Sequence, residues 1–214
     1  MRIICIIQAR QTSKRLPGKA KLKVYKKTVL QCVVDRVRAV NFWGKLIDKI
    51  VVAIPDTKKN DKLARYCNFM EWEVFRGSED DVLDRYYKCA LKYKADHIVR
   101  ITGDCPVLEP IIIRALIKEY LEHELDYHAL AFNHNLIPPG WDCEIFDFAN
   151  LERTWARSKK REHVTMDMRI REEYQDYSDK GIVDDRDYLK GISLELNTKQ
   201  DYRRIKEYGR LISL

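Results

Sequence analysis

The sequence predicts an α/β fold built on a mostly parallel sheet. Short apolar runs that read as strands alternate with longer segments whose apolar residues recur at helical spacing. Loops rich in Gly, Pro and Asp punctuate them. No repeat and no Pro/Gly/Ser linker interrupts the 214 residues, so a single domain over 1–214 is expected.

Taken in order, Arg2–Ile7 is an apolar run and predicts a buried strand. Gln8–Lys19 (QARQTSKRLPGK) is polar and basic and ends in Pro-Gly-Lys, so it is a loop. Thr28 is placed to cap a helix over Val29–Val40, with apolar residues at 29, 30, 33, 34 and 37. Asp48–Ile54 reads as a strand, Asp61–Phe69 as a helix and Trp72–Phe75 as a short strand stopped by Arg76-Gly77. Ser78, with Asp81 three residues on, predicts the cap of a helix running to Tyr93. His97–Thr102 is a strand broken by Gly103-Asp104-Cys105-Pro106, and Pro110–His123 a helix. Tyr127–Phe132 reads as a strand, Pro138-Pro139-Gly140 as a turn, and Trp141–Phe146 alternates. Helices are expected over Ala149–Arg157 and Glu162–Tyr174, a strand over Gly191–Leu196, and a last helix capped by Thr198 and reaching Leu211.

Open α/β sheets bind ligands at the carboxyl ends of their strands. Those ends fall here at Gln8–Lys19, Pro55-Asp56, Arg76–Asp80 and Gly103–Pro106. Residues from about 133 to 190 are less regular and are expected to form an acceptor lobe or dimer arm.

The net charge of +7 is concentrated. Residues 1–40 hold 11 Lys/Arg against one acidic residue, and the remainder is slightly acidic. One basic segment suits a local anionic ligand such as a polyphosphate better than nucleic acid, whose binders spread or repeat their basic surface. Six cysteines stand far apart, with no C-x-x-C pair, and read as reduced and structural; Cys105 is the exception its loop position leaves open. No apolar stretch approaches the ~20 residues that span a bilayer, and no secretory signal is apparent. A cytoplasmic protein with no membrane insertion is expected.

Several motifs fail. The eight glycines are isolated, so neither a dinucleotide fingerprint nor a P-loop is present. His123-Glu124 with His128 misses H-E-x-x-H by one residue, and at i, i+5 the rings would not share a helix face. Asp185-Arg186-Asp187 sits in a very polar stretch, and no G-x-S-x-G exists.

The Gln8–Lys19 loop is the strongest signal. It sets Arg10, Lys14, Arg15 and Lys19 directly after the first strand. Turn amides with two to four cations can cradle a triphosphate, and Pro17-Gly18 permits a tight bend. Read from its residues alone, the loop is either such a cradle or a basic surface loop.

Ile6-Ile7-Gln8-Ala9-Arg10 with Arg15-Leu16-Pro17-Gly18-Lys19 resembles the nucleotide-binding signature of the sugar cytidylyltransferases. Val74–Tyr87 (VFRGSEDDVLDRYY), Ile98–Pro106 (IVRITGDCP), Gly140–Phe146 (GWDCEIF) and Arg161–Thr165 (REHVT) resemble its SpsF-like, spore-coat-polysaccharide branch. The resemblance runs to about Arg204. It implies a Rossmann-like three-layer nucleotidyltransferase of the glycosyltransferase-A type that transfers CMP from CTP to an acidic sugar or related hydroxy acid and releases pyrophosphate. It also implies Mg²⁺ as cofactor and a homodimer. By the matching motifs, Gln8, Ala9, Arg10, Arg15, Lys19, Asp84, Arg85 and Arg100 fall to the nucleotide, with Arg15, Lys19 and Asp104 catalytic. Asp104 and Asn197 fall to the metal, and Asp142, Glu144, Glu162 and His163 to the acceptor.

Three departures stand out. Gln11-Thr12-Ser13-Lys14 replaces the Met-Gly-Ser-Thr of the pattern, and Trp141 brings an indole to the acceptor motif. Asn197 stands where the pattern has its second metal carboxylate, offering an oxygen without charge. Two other functions therefore stay open: a catalytically impaired nucleotide-binding partner or scaffold, and a nucleotide-sugar-dependent glycosyltransferase.

Overall fold

The computed structural model describes residues 1–24, 26–129, 139–169 and 193–211. The strands are β1 (Ile3–Gln8), β2 (Lys23–Val24), β3 (Lys27–Thr28), β4 (Lys49–Pro55), β5 (Glu73–Gly77), β6 (His97–Thr102), β7 (Tyr127–Ala129) and β8 (Cys143–Asp147). The helices are α1 (Val29–Ala39), α2 (Asp61–Phe69), α3 (Val82–Tyr93), α4 (Pro110–Glu122), α5 (Phe148–Arg157), α6 (Met166–Arg169) and α7 (Lys199–Leu211). β2 and β3 form a small hairpin; the other six make one sheet in the order β5-β4-β1-β6-β8-β7. β5, β4, β1 and β6 run parallel, and β8 is antiparallel to both its neighbours.

Period-2 alternation in β1 sorts the core into two layers. Ile3, Cys5 and Ile7 join the apolar faces of α1, α2 and α4, while Ile4 and Ile6 join α3, Leu151 and Phe146 on the other side. Both faces are covered, which is why β1 reads as a continuous apolar run. The result is the predicted three-layer α/β arrangement. All six cysteines are buried and free, and burial pushes the thiols of Cys5, Cys105 and Cys143 far above their ordinary range. Cys105 thus joins the structural set.

The chain leaves β1 for β4 on one side and reaches β6 on the other, so the connections reverse between β1 and β6. Gln8 at the end of β1 lies opposite Thr102 at the end of β6. The crevice beyond these two ends is the topological switch point.

Several local expectations change. Asp81, not Ser78, caps α3, accepting from the Asp84 amide at 2.7 Å; Ser78 Oγ accepts from the Asp81 amide one turn earlier. Residues 193–196 are not a strand. They are held by the Leu194 amide donating to Pro139 O at 2.6 Å and the Leu196 amide to Asp104 O at 2.9 Å. Trp141–Phe146 does not alternate between water and core, because β8 is an inner strand, and even Glu144 is buried. Of the helix expected over 162–174, the described part begins at Met166. Residues 130–138 and 170–192, with the expected strand end at Phe132, Pro138, most of the expected acceptor lobe and Asp185-Arg186-Asp187, lie outside the described residues.

Candidate active site

The loop after β1 is pinned at both ends. The Ala9 amide donates to Ala53 O at 3.1 Å, the Gln11 amide to Asn60 Oδ1 at 2.7 Å, and the Gly18 amide closes back on Gln11 O at 3.0 Å. Leu16 is buried and anchors the loop's middle, and Gly18 takes the left-handed conformation (φ 74°) that turns the chain into the short 3₁₀ helix Lys19–Lys21. This leaves Arg10, Lys14 and Arg15 exposed on a fixed frame.

Gly103 brings the β6 loop against that frame. Its amide donates to Gln8 O at 2.8 Å, and a Cβ there would sit 2.8 Å from the same oxygen. Asp104 is thereby held beside Lys19. The Lys19 ammonium donates to Asp104 Oδ2, to Leu196 O at 2.9 Å and to Asn197 Oδ1 at 3.4 Å; Arg15 Nη2 donates to Asn197 Oδ1 at 2.5 Å. Residues separated by more than 180 positions thus meet. Gly140 makes this possible: it has φ +105°, and a Cβ would lie 2.4–2.8 Å from Leu194 C, Glu195 N and Leu194 O. Asp201 then accepts from the Asn197 and Thr198 amides at 3.0 and 2.7 Å and fixes the turn into α7.

Glu195 is a site residue that sequence reasoning missed. Burial, then the charge of Asp104, raises its carboxyl pKa, and Asp142 adds to the effect. The charges of Asp104 and Asp142 thus both act on Glu195. The available sequence signal was an acidic residue between two leucines that are both buried. Glu79 was missed as well; it accepts from Thr12 Oγ1, and that bond lowers its pKa.

The remaining predicted nucleotide residues divide. Arg85 is buried, donates through Nη1 to Ser78 O, and keeps Nε without a hydrogen-bond partner among the described residues. Burial lowers its pKa, and the Arg10 charge adds to this. Gln8 Oε1 is likewise buried and unpartnered among the described residues. Asp84 is engaged elsewhere: Oδ1 accepts from Trp155 Nε1 at 3.0 Å, and Oδ2 pairs with Lys88 at 2.8 Å. Burial works against its charged form, but these two contacts outweigh it and the pKa falls.

Glu144, expected at the acceptor, faces Arg100, expected at the nucleotide, across β6 and β8, with Arg100 Nη1 donating to Glu144 Oε2 at 2.5 Å. Glu144 also accepts from Tyr127 and Thr165 hydroxyls at 3.1 and 3.0 Å. Both residues belong to an internal network. Asp142 accepts from the Gly140 amide at 3.3 Å and lies on the side of Asp104 and Glu195. Glu162 and His163 are more than half exposed, contacting each other at 3.9 Å and none of the site residues above. In that motif Arg161, Val164 and Thr165 are the residues built into the fold, Arg161 pairing with Asp81 at 2.8 Å.

Mg²⁺ fits this donor set in one form. Among the described residues no three His, Cys, Asp or Glu side chains are gathered as a metal cage. Asp104 Oδ2, Asn197 Oδ1 and Leu196 O are all oxygens, one of them charged, sharing one ammonium. Such a set suits a hard, oxygen-seeking ion. Among the described residues no helix is long and apolar enough to cross a membrane.

A family model described as cytidylyltransferase matches residues 4–211. The chain is 32% identical, over 214 residues, to the spore coat polysaccharide biosynthesis protein SpsF of Bacillus subtilis, an alignment covering 95% of this chain and 85% of that protein. It is 30% identical over 113 residues to a 3-deoxy-manno-octulosonate cytidylyltransferase of Geobacter metallireducens, covering 53% of this chain but 42% of that protein. The solved structure of a cytidylyltransferase from Leptospira borgpetersenii superposes with a TM-score of 0.83 at 27% identity, over 99% of this chain and 87% of that one.

Proposed function

We propose the following for this chain, which belongs to the cytidylyltransferase family and is a CTP-dependent nucleotidyltransferase: it transfers CMP from CTP to an acidic sugar or related small hydroxy acid, releasing pyrophosphate, in the synthesis of a surface glycan. The observation that carries this is the convergence of Arg15, Lys19, Asp104 and Asn197 at the β1/β6 crevice.

The acceptor hydroxyl attacks the α-phosphorus in line and releases its proton to solvent; the new oxygen–phosphorus bond forms as the bond between the α-phosphorus and the α–β bridging oxygen breaks, and pyrophosphate leaves. Negative charge grows on the transferring group and on the leaving group, so the reaction needs placed cations more than a covalent nucleophile. Arg15 and Lys19 neutralise the leaving pyrophosphate. Gln8, Ala9, Arg10 and Arg85 hold the nucleotide, Arg85 Nε being buried without a hydrogen-bond partner among the described residues. Asp104 and Asn197 would hold Mg²⁺, which would supply positive charge to the reacting phosphates and acceptor hydroxyl. Asp142, whose charge acts on Glu195, is assigned to the acceptor. The active form is a homodimer, which sedimentation equilibrium tests.

A second reading rests on Asn197: with no charge at that position, the chain binds CTP as an impaired partner of another enzyme. A pyrophosphate-release screen separates the two. Four nucleoside triphosphates are offered with a panel of acidic sugars, with and without Mg²⁺. Release with CTP and one acid supports the first reading. CTP binding without release on any acid supports the second, and release with a purine nucleotide contradicts both.

A further inference from the structure

The Lys19 ammonium has three N–H donors, and the structure gives it three oxygen acceptors: Asp104 Oδ2, Leu196 O and Asn197 Oδ1. The side chains of Lys19 and Asp104 are only 13% and 16% exposed, so this is a sheltered site rather than a surface pairing. Leu196 O and Asn197 are fixed there by the Leu196 amide on Asp104 O and by Asp201 on the following turn. Two elements distant in sequence have thus built an oxygen cage around a cation that the chain itself supplies.

We propose that Lys19 is a built-in competitor for the divalent ion, so that metal binds tightly only once a triphosphate draws the ammonium away. This rests on the reading of Asp104 and Asn197 as metal ligands and goes beyond it to the order of binding. A lysine is a compact charge on a flexible four-carbon stem, so its ammonium can exchange protein oxygens for phosphate oxygens without moving the backbone. Each position is satisfied: on the cage Lys19 neutralises Asp104, and on the triphosphate, which also draws Arg15 away from Asn197 Oδ1, it leaves the cage to the metal. Because the two ions want the same oxygens, each opposes the other; an anion that draws the lysine outward raises metal affinity, and the metal raises the anion's affinity by the same factor. The free enzyme then holds little divalent ion, and nucleotide and metal enter together.

The test needs no nucleotide and no turnover. Free Mn²⁺, counted by its electron paramagnetic resonance signal, is titrated into wild type, Lys19→Met, Lys19→Gln, Lys14→Gln and Lys19→Gln/Asp104→Asn, each shown folded by its melting transition. Wild type should bind weakly. Both Lys19 variants should bind about tenfold tighter, within the range usual for coupled sites. Lys14→Gln, which removes the same charge from an exposed position of the same loop, should change affinity by less than about twofold. The gain should vanish with Asp104→Asn. No gain in either folded Lys19 variant, an equal gain in Lys14→Gln, or a gain that survives Asp104→Asn overturns the proposal. The reading of the reaction stands or falls separately, on pyrophosphate release by wild type.

Discussion

Two motif-bearing stretches of this molecule use their chemistry differently. In the first, the loop after β1, the charged side chains Arg15 and Lys19 point at groups from β6 and from the turn before α7, and the apolar Leu16 only anchors them. In the second, Arg161–Thr165, the conspicuous Glu162 and His163 face solvent while Arg161, Val164 and Thr165 tie the segment to α3 and Glu144. Arg100 and Glu144, expected at the ligands, spend their charge on each other. Matching a motif therefore identifies a segment; only the fold decides which of its side chains reach the crevice. From this difference, substitutions in the second region should act through stability and those in the first through ligand affinity.

The largest expected effect is Glu144→Ala. It strips the partner from Arg100 and from the Tyr127 and Thr165 hydroxyls. Breaking a buried pair by removing one member costs about 3–5 kcal/mol. Urea denaturation should show that loss, and an unchanged midpoint would remove Glu144 from the structural side of the comparison.

Next come Arg15→Ala, which is at an exposed position and should leave the melting temperature nearly alone, and Lys19→Ala, which should lower it without unfolding the protein because it strips a sheltered Asp104 of its partner; each should weaken CTP binding by about 1.5–3 kcal/mol, the worth of a charge-assisted contact. Calorimetric titration reads both. Unaltered affinity in both folded variants would move the phosphates out of this loop.

Gly140→Ala sharpens the boundary between the regions. A Cβ 2.4 Å from Leu194 C must push the 194–197 segment aside. The strain should cost about 1–3 kcal/mol of stability, and it should also weaken CTP binding because Leu196 and Asn197 position Lys19. A loss of stability with CTP affinity intact would uncouple that segment from the phosphate site.

The parallel sheet, its helices and the β1 loop were legible because each follows from local pattern: apolar runs buried on both faces, a Thr28 cap that the structure realises at 3.1 Å, and a Pro-Gly turn. What stayed hidden depends on long-range approach. Nothing local in Glu195 announces that the close contact of Gly140 with Leu194 brings it to Asp104. Asp84 sits in a motif beside Arg85, yet one residue along a helix turns a side chain by about 100°, and Trp155 and Lys88 claim it. Ser78 was the expected cap, but it is the Asp81 carboxylate that meets the Asp84 amide, so the helix starts three residues later.

The smallest expected effects are those of Glu162→Ala and His163→Ala. Exposed groups away from any special contact change stability by less than about 0.5 kcal/mol, and neither should alter CTP affinity. A calorimetric loss of CTP binding in either variant would show that the second region reaches the nucleotide after all.

The most direct test of the central claim follows the α-phosphorus. CTP labelled at that position is incubated with wild type, Mg²⁺ and the acidic sugar found by the screen, and again with Asp104→Asn. The account predicts that the label leaves wild-type reactions joined to the sugar as CMP, in step with pyrophosphate, and that Asp104→Asn makes almost none of this product while still binding metal-free CTP. Label recovered as CDP or free CMP without a sugar conjugate, or near-wild-type conjugate formation by Asp104→Asn, would contradict it.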